Sequence, residues 1–113
     1  MTKLLYLVLS GEDAPQRFDL AINTAMNLVD NKRVDELKIL FLGPSESFAA
    51  KATGNRAEII KKLAERKIID SACINFAKNM GIEENLKILG INEEPFGQRI
   101  SALLSQGYSV ITF

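Results

Sequence analysis

Short runs of Leu, Ile and Val alternate with segments of helical period along the whole chain. That alternation constrains the fold more than any other feature. Strands separated by helices join one sheet most simply through crossover connections, which make neighbouring strands parallel. "KLLYLVLS" (residues 3–10) is apolar almost throughout, as a strand covered on both faces is. "GEDAPQ" then opens a helix, with Asp13 as cap, Gln16 three residues on and Pro15 in the first turn. Phe18, Ala21, Ile22, Ala25, Leu28 and Val29 follow at spacings of three and four, which defines one buried helical face.

The pattern repeats. "ELKILFLG" (36–43) is the second strand, ended by Gly43-Pro44, and "SESFAAKATG" reads either as a short helix or as a loop packed through Phe48. Asn55 and Glu58 form a capping box for a helix running to about Arg66, with Ala57, Ile60, Leu63 and Ala64 as its apolar stripe. "KIIDSA" is the third strand, "CINFAKNM" a short helix closed by Gly81, and "NLKILGI" the fourth strand. Pro95 begins a last helix with Phe96, Ile100, Leu103 and Leu104 inward, Gly107 closes it, and "YSVITF" is the fifth strand. The expectation is a single domain over residues 1–113: a three-layer α/β/α fold around a five-stranded, mainly parallel sheet.

Composition narrows the function. Of 113 residues 47% are hydrophobic, enough for one core. Fourteen basic and fourteen acidic residues cancel, so no long-range field favours nucleic acid or an anionic membrane as partner. The opening apolar run, Leu4 to Leu9, is too short for a secretory core, and no stretch is long enough to span a bilayer. One cysteine makes no internal disulfide, and the expected compartment is the cytoplasm.

Sites in a parallel sheet lie at the carboxyl ends of the strands. Those ends are Ser10-Gly11, Gly43-Pro44, Asp70 to Cys73, and Gly90-Ile91. The chain has no histidine, so it holds neither a Ser-His-Asp nor a Cys-His pair, and a lone cysteine makes neither a CxxC redox site nor a cysteine-rich metal cluster. No metal or cofactor is expected, and no standard nucleotide fingerprint is present. Glu83-Glu84 and Glu93-Glu94 read as solvated turn charges, and Lys61-Lys62 as a solvated helix face. Ser10 to Gln16 is either plain cap chemistry or an anion site at a helix start. If Ser71 caps the helix after the third strand, Cys73 falls in its first turn, a placement that favours the thiolate. A free cysteine is equally at home as a small buried hydrophobe. The residues alone leave both readings open.

Four segments carry a resemblance. "KLLYLVLSGEDAPQRFDLAINTAMNL", "LKILFLG", "SACINFAKNMGI" and "GYSVITF" are similar to the opening strand and helix, second strand, cysteine-bearing stretch and terminal strand of the DsrE/DsrF-like family, which includes the sulfur-relay subunit TusD. The resemblance implies that Cys73 accepts a persulfide and passes it on; on that reading the strand-end residues Ser10, Gly11, Gly43 and Ser71 shape the rim of its pocket. Where many members carry a second cysteine three residues later, this chain has Phe76, which suits carriage of one sulfur rather than a metal or a disulfide. Implied partners are sulfur donor and acceptor proteins, with a homo-oligomer or a sister-subunit complex as the assembly. The resemblance also suggests that the last strand lies beside the first. The family equally includes subunits without a working cysteine. The alternative is therefore a non-catalytic binding or assembly module in which Cys73 is packed and "VITF" forms a subunit contact. A ligand or nucleotide sensor using the same rim has no motif behind it.

Overall fold

The computed structural model describes residues 1–113. Five strands form one wholly parallel sheet: β1 (Lys3–Val8), β2 (Glu36–Phe41), β3 (Ile69–Cys73), β4 (Glu93–Glu94) and β5 (Ser109–Thr112). Their order across the sheet is β4-β3-β2-β1-β5, with β5 beside β1 as expected. Six helices connect them: α1 (Pro15–Asp30), α2 (Pro44–Ala50), α3 (Gly54–Glu65), α4 (Ile74–Met80), α5 (Glu83–Ile88) and α6 (Phe96–Ser105).

Handedness sorts these helices into layers. From β1 to β4 the chain steps across the sheet one strand at a time in one direction, and right-handed crossovers put every helix of that walk on one side. Side chains of α1 to α5 accordingly share a cluster of twenty buried residues, with Phe18, Phe41, Ile60 and Leu63 at its centre. The return from β4 to β5 runs the opposite way across the whole sheet, so α6 lies on the other face. That face has a core of only four residues, Leu5, Leu40, Leu103 and Tyr108. At roughly 2 kcal/mol for each fully buried large aliphatic or aromatic side chain, the α6 layer is held by far less apolar burial than the other.

An ion pair supplements it. A β-bulge at Asp70 interrupts the β2–β3 register: Ile39 pairs with Ile69, but Leu40 pairs with Ser71. Arg99 of α6 donates two hydrogen bonds to the Asp70 carboxylate, at 2.6 and 2.8 Å, and Ser71 Oγ donates a third at 3.0 Å. Burial pushes the Asp70 carboxyl up, but the Arg99 and Ser71 hydrogen bonds, with the charges of Arg99 and Lys38, outweigh it and hold the group below the ordinary carboxylate range.

Several expectations are corrected. "NLKILGI" is not a strand: α5 occupies most of it, and the fourth strand is the two-residue β4. Glu83 and Glu84 sit in the first turn of α5, where acidic side chains suit the helix dipole, and Ile82, Leu86 and Leu89 recur at helical spacing. Ile88, 78% exposed, has no place in a buried strand. Neither expected capping box at α1 or α3 forms. Asp13 Oδ1 instead accepts the Gly11 N–H at 2.9 Å, and α3 begins at Gly54 with no side-chain cap. Leu104 points outward, 49% exposed. The ambiguous "SESFAAKATG" segment is helical in its first part, as α2, and Phe48 packs edge-on to Phe18 and under the Arg56 guanidinium.

Two outcomes follow for stability. A Cβ placed on Gly11 would lie 2.4 Å from the Pro44 carbonyl oxygen, so Gly11→Ala should destabilise by about 2 kcal/mol in urea unfolding; an unchanged midpoint would show that the contact yields freely. Arg99→Leu leaves Asp70, whose side chain is 7% exposed, without its counter-ion, and should cost about 3 kcal/mol at pH 7. The folded Asp70 group is depressed, so the pair's contribution is fully present above the ordinary carboxylate range and is lost as pH falls from there through the lower folded value. The gap between wild type and Arg99→Leu should therefore narrow towards pH 3, and a gap equal at pH 7 and pH 3 would exclude this role for the pair.

Candidate functional site

The connections leaving β3 and β4 depart to opposite faces of the sheet, α4 towards the larger cluster and α6 towards the smaller one. In parallel sheets such a divergence opens a crevice at the carboxyl ends of the two strands. Cys73 is the last residue of β3, opposite Glu94 of β4. It is 5% exposed, one of the buried core residues. Its backbone is extended and it serves as the residue before α4, so the expected placement in a helical first turn does not occur. Ser71 is not a cap either. It is a buried strand residue paired with Leu40, two positions back from the rim, where it binds Asp70.

The other rim residues meet around the start of α2. Ser45 Oγ donates to the Val8 carbonyl at 2.5 Å and accepts the Leu42 N–H at 3.0 Å, which ties the end of β2 to the end of β1. Gly43, at φ +74°, has the left-handed backbone that glycine adopts without strain and turns the chain directly into the helix. Gly11 makes its close approach to Pro44 in the same place. Ser10 is buried, and its Oγ has no hydrogen-bond partner within the protein.

Glu46 is the residue that sequence reasoning missed. It is fully buried, although a carboxylate is among the groups most costly to take out of water. Its Oε2 accepts the Gly43 N–H at 2.9 Å, while Oε1 has no partner within the protein. Burial raises its carboxyl to about 7; the N–H groups of Gly43 and Cys73 draw it down less strongly, and the charge of Glu93 adds to the rise. The signal was present in the sequence, since Glu three residues after a helix-starting Gly-Pro is the acceptor half of a capping box.

Residues 93–94 are expected to be solvated turn charges; in the structure Glu94 is exposed, but Glu93 is not a free surface charge. They are strand β4, and Glu93 Oε1 is buried without a partner. Burial raises the Glu93 carboxyl, the neighbouring Glu83 raises it further, and Lys78 opposes the rise. Three unpartnered oxygens, on Ser10, Glu46 and Glu93, thus lie along the carboxyl ends of β1, β2 and β4. No group of three or more Cys, Asp or Glu side chains is placed to hold a metal ion.

The largest cleft, about 670 Å³, lies outside this group, between the β1–α1 loop, α2 and the start of α3. Glu12, Asp13, Lys51 and Arg56 line it, and Cys73 does not. Arg56 is already committed, through two hydrogen bonds of 2.7 and 2.8 Å, to Asp19.

Solved structures similar to this one include two of low sequence identity. A conserved protein of unknown function, BT1422, from Bacteroides thetaiotaomicron matches with a TM-score of 0.80 over 96% of this chain and 94% of its own, at 19% identity. The ychN protein of E. coli matches with a TM-score of 0.74 over the whole of both chains, at 13% identity. No protein-family model and no curated protein sequence matches the chain. No helix is long and apolar enough to cross a membrane. At these identities the likeness is one of fold alone.

Proposed function

We propose that the protein carries sulfane sulfur as a persulfide on Cys73, taking it from a donor protein and passing it to an acceptor thiol. The observation that carries this reading is the position of the chain's one thiol. Cys73 ends β3, at the carboxyl edge of the sheet where the connections leaving β3 and β4 diverge. The resemblance to sulfur-relay proteins adds the chemistry. The Cys73 thiolate attacks the outer sulfur of a donor R–S–SH; the donor's S–S bond breaks, and RS⁻ leaves with the electron pair and takes up the proton as RSH. The transfer of the outer sulfur from Cys73 to an acceptor thiol is the same exchange in reverse. Neither step requires a metal or a cofactor.

A second reading, a non-catalytic assembly module, is favoured by one specific observation. Cys73 is only 5% exposed, whereas a relay thiol has to be reached by another protein's sulfur. On that reading Val110 and Ile111, 38% and 41% exposed on the edge strand β5, serve a subunit contact.

Iodoacetamide alkylation followed by intact mass, then incubation with a polysulfide, separates the two. A carrier alkylates under native conditions and gains the mass of one sulfur, and Cys73→Ser loses that gain. A thiol that alkylates only after denaturation identifies Cys73 as packing and replaces the first reading by the second.

A further inference from the structure

The two edges of the sheet are built differently. β4, at one edge, is two residues long and both are glutamate, features that keep an exposed strand from pairing with another. β5, at the other edge, has neither. Its sequence, Ser-Val-Ile-Thr, carries no charge, no proline and no bulge, and every residue in it is exposed. Val110, Ile111 and Thr112 are β-branched, the side chains best suited to a sheet. No charged side chain occurs anywhere from Ile100 to Phe113. Val110 lies beside Leu5 and Ile111 beside Tyr6, so exposed apolar surface is present on both faces of this edge.

Backbone groups along this edge are free in a regular pattern. The Phe113 N–H donates to the Leu7 carbonyl at 2.9 Å, and the Phe113 carbonyl accepts the Leu9 N–H at 2.9 Å. Alternation along the strand turns Ile111 towards β1 in the same way and points the N–H and C=O of Val110 and Thr112 away from the sheet. We propose that this edge joins two copies of the chain, whose β5 strands pair antiparallel about a two-fold axis. The axis is perpendicular to the sheet and passes between the two Ile111 residues. In that register Val110 of each copy faces Thr112 of the other, and each such pair exchanges two N–H···O bonds, while Ile111 meets its own counterpart. The two five-stranded sheets become one, and α6 of both copies lies on the same face.

A second copy fits this edge better than other occupants do. A peptide strand from another protein draws its specificity from pockets for alternate side chains. No β5 residue lines the largest cleft, of about 670 Å³, or the others of about 230 to 560 Å³. A copy needs no pocket, because it brings the same uncharged row to the contact and no like charges meet. An open fibre, in which β5 adds to β4 of the next copy, would set the longer apolar strand against two glutamates, so the contact closes at two copies. A strand of four residues extends only ~13 Å, so the interface is small and the association is micromolar or weaker. The inference rests on the subunit-contact reading of Val110 and Ile111 and names the partner. It is independent of sulfur carriage, since β1 and β2 separate β5 from β3.

Sedimentation velocity of the full chain, from about 5 to about 500 μM, tests this. The wild-type mass should rise from the 12.5 kDa of one chain and level off at twice that value. Ile111→Lys and Ile111→Glu each set like charges against each other on the axis and should weaken the association about tenfold or more. An equimolar mixture of the two should sediment heavier than either alone, because position 111 opposes itself and the charges now attract; recovery also shows that both variants fold. A wild-type mass of one chain at every concentration overturns the inference and leaves the edge to a strand of another protein. A mass that grows past two copies without levelling, a dimer untouched by either substitution, or a mixture as light as the single variants overturns it too. Alkylation and sulfur loading of Cys73 are read separately. A monomer that gains the sulfur mass refutes the dimer and leaves the carrier standing. A dimer whose thiol reacts only after denaturation refutes the carrier and leaves the dimer standing.

Discussion

The handedness of the crossover decides nearly everything in this molecule. Because a parallel connection packs back on the sheet in only one hand, a chain that walks steadily from β1 to β4 must stack its helices on one face. The same rule forces the long return to β5 over the other face. From that reversal come the unequal cores, the isolation of α6, its reliance on Asp70 and Arg99, and the divergence of the loops beyond β3 and β4. The position of Cys73 at that divergence is thus a consequence of topology before it is a matter of side chains.

Much of this was legible in the sequence. The alternation of buried runs and helical stripes settles the class, because a continuous apolar run and a three-and-four stripe demand different surroundings. α1 is the clearest case, since Phe18, Ala21, Ile22 and Ala25 are all fully enclosed, as their spacing requires. Residues 85–91 were misread because a short apolar run has no period of its own, and the two acidic residues that start α5 were weighed as turn charges rather than as a helix start. A strand of two residues such as β4 leaves no hydrophobic signature at all. It is defined by hydrogen bonding to a neighbour that the chain itself does not announce.

The candidate site was legible in part. Cys73, Ser10, Gly11 and Gly43 all stand at or directly after the carboxyl ends of strands, which follows from strand placement alone. Ser71 was misplaced because the bulge at Asp70 shifts the register by one residue, so the strand runs on through Cys73 and no helix starts at Ser71. Glu46 has a local signal as a cap, but its burial depends on tertiary packing, with α4 against α2, and a single charged letter in a sequence defaults to the surface. The same tertiary enclosure hides Glu93.

The location of β5 also bears on how the chain reaches this structure. Leu4 lies beside Ser109 and Leu7 beside Thr112, so the last pairing joins segments that are nearly the whole sequence apart, whereas β1 and β2 are linked by a single helix. Loop-closure entropy makes such a contact slow relative to the neighbouring ones. Until it forms, β1 is itself a sheet edge, with Leu5 and Leu7 uncovered on the α6 side and unpaired backbone groups along its length. The folding order implied is β1 to β3 with α1 and α3 first, then α6 and β5 together. The intermediate before that last step is the species in which two copies would most readily pair through β1.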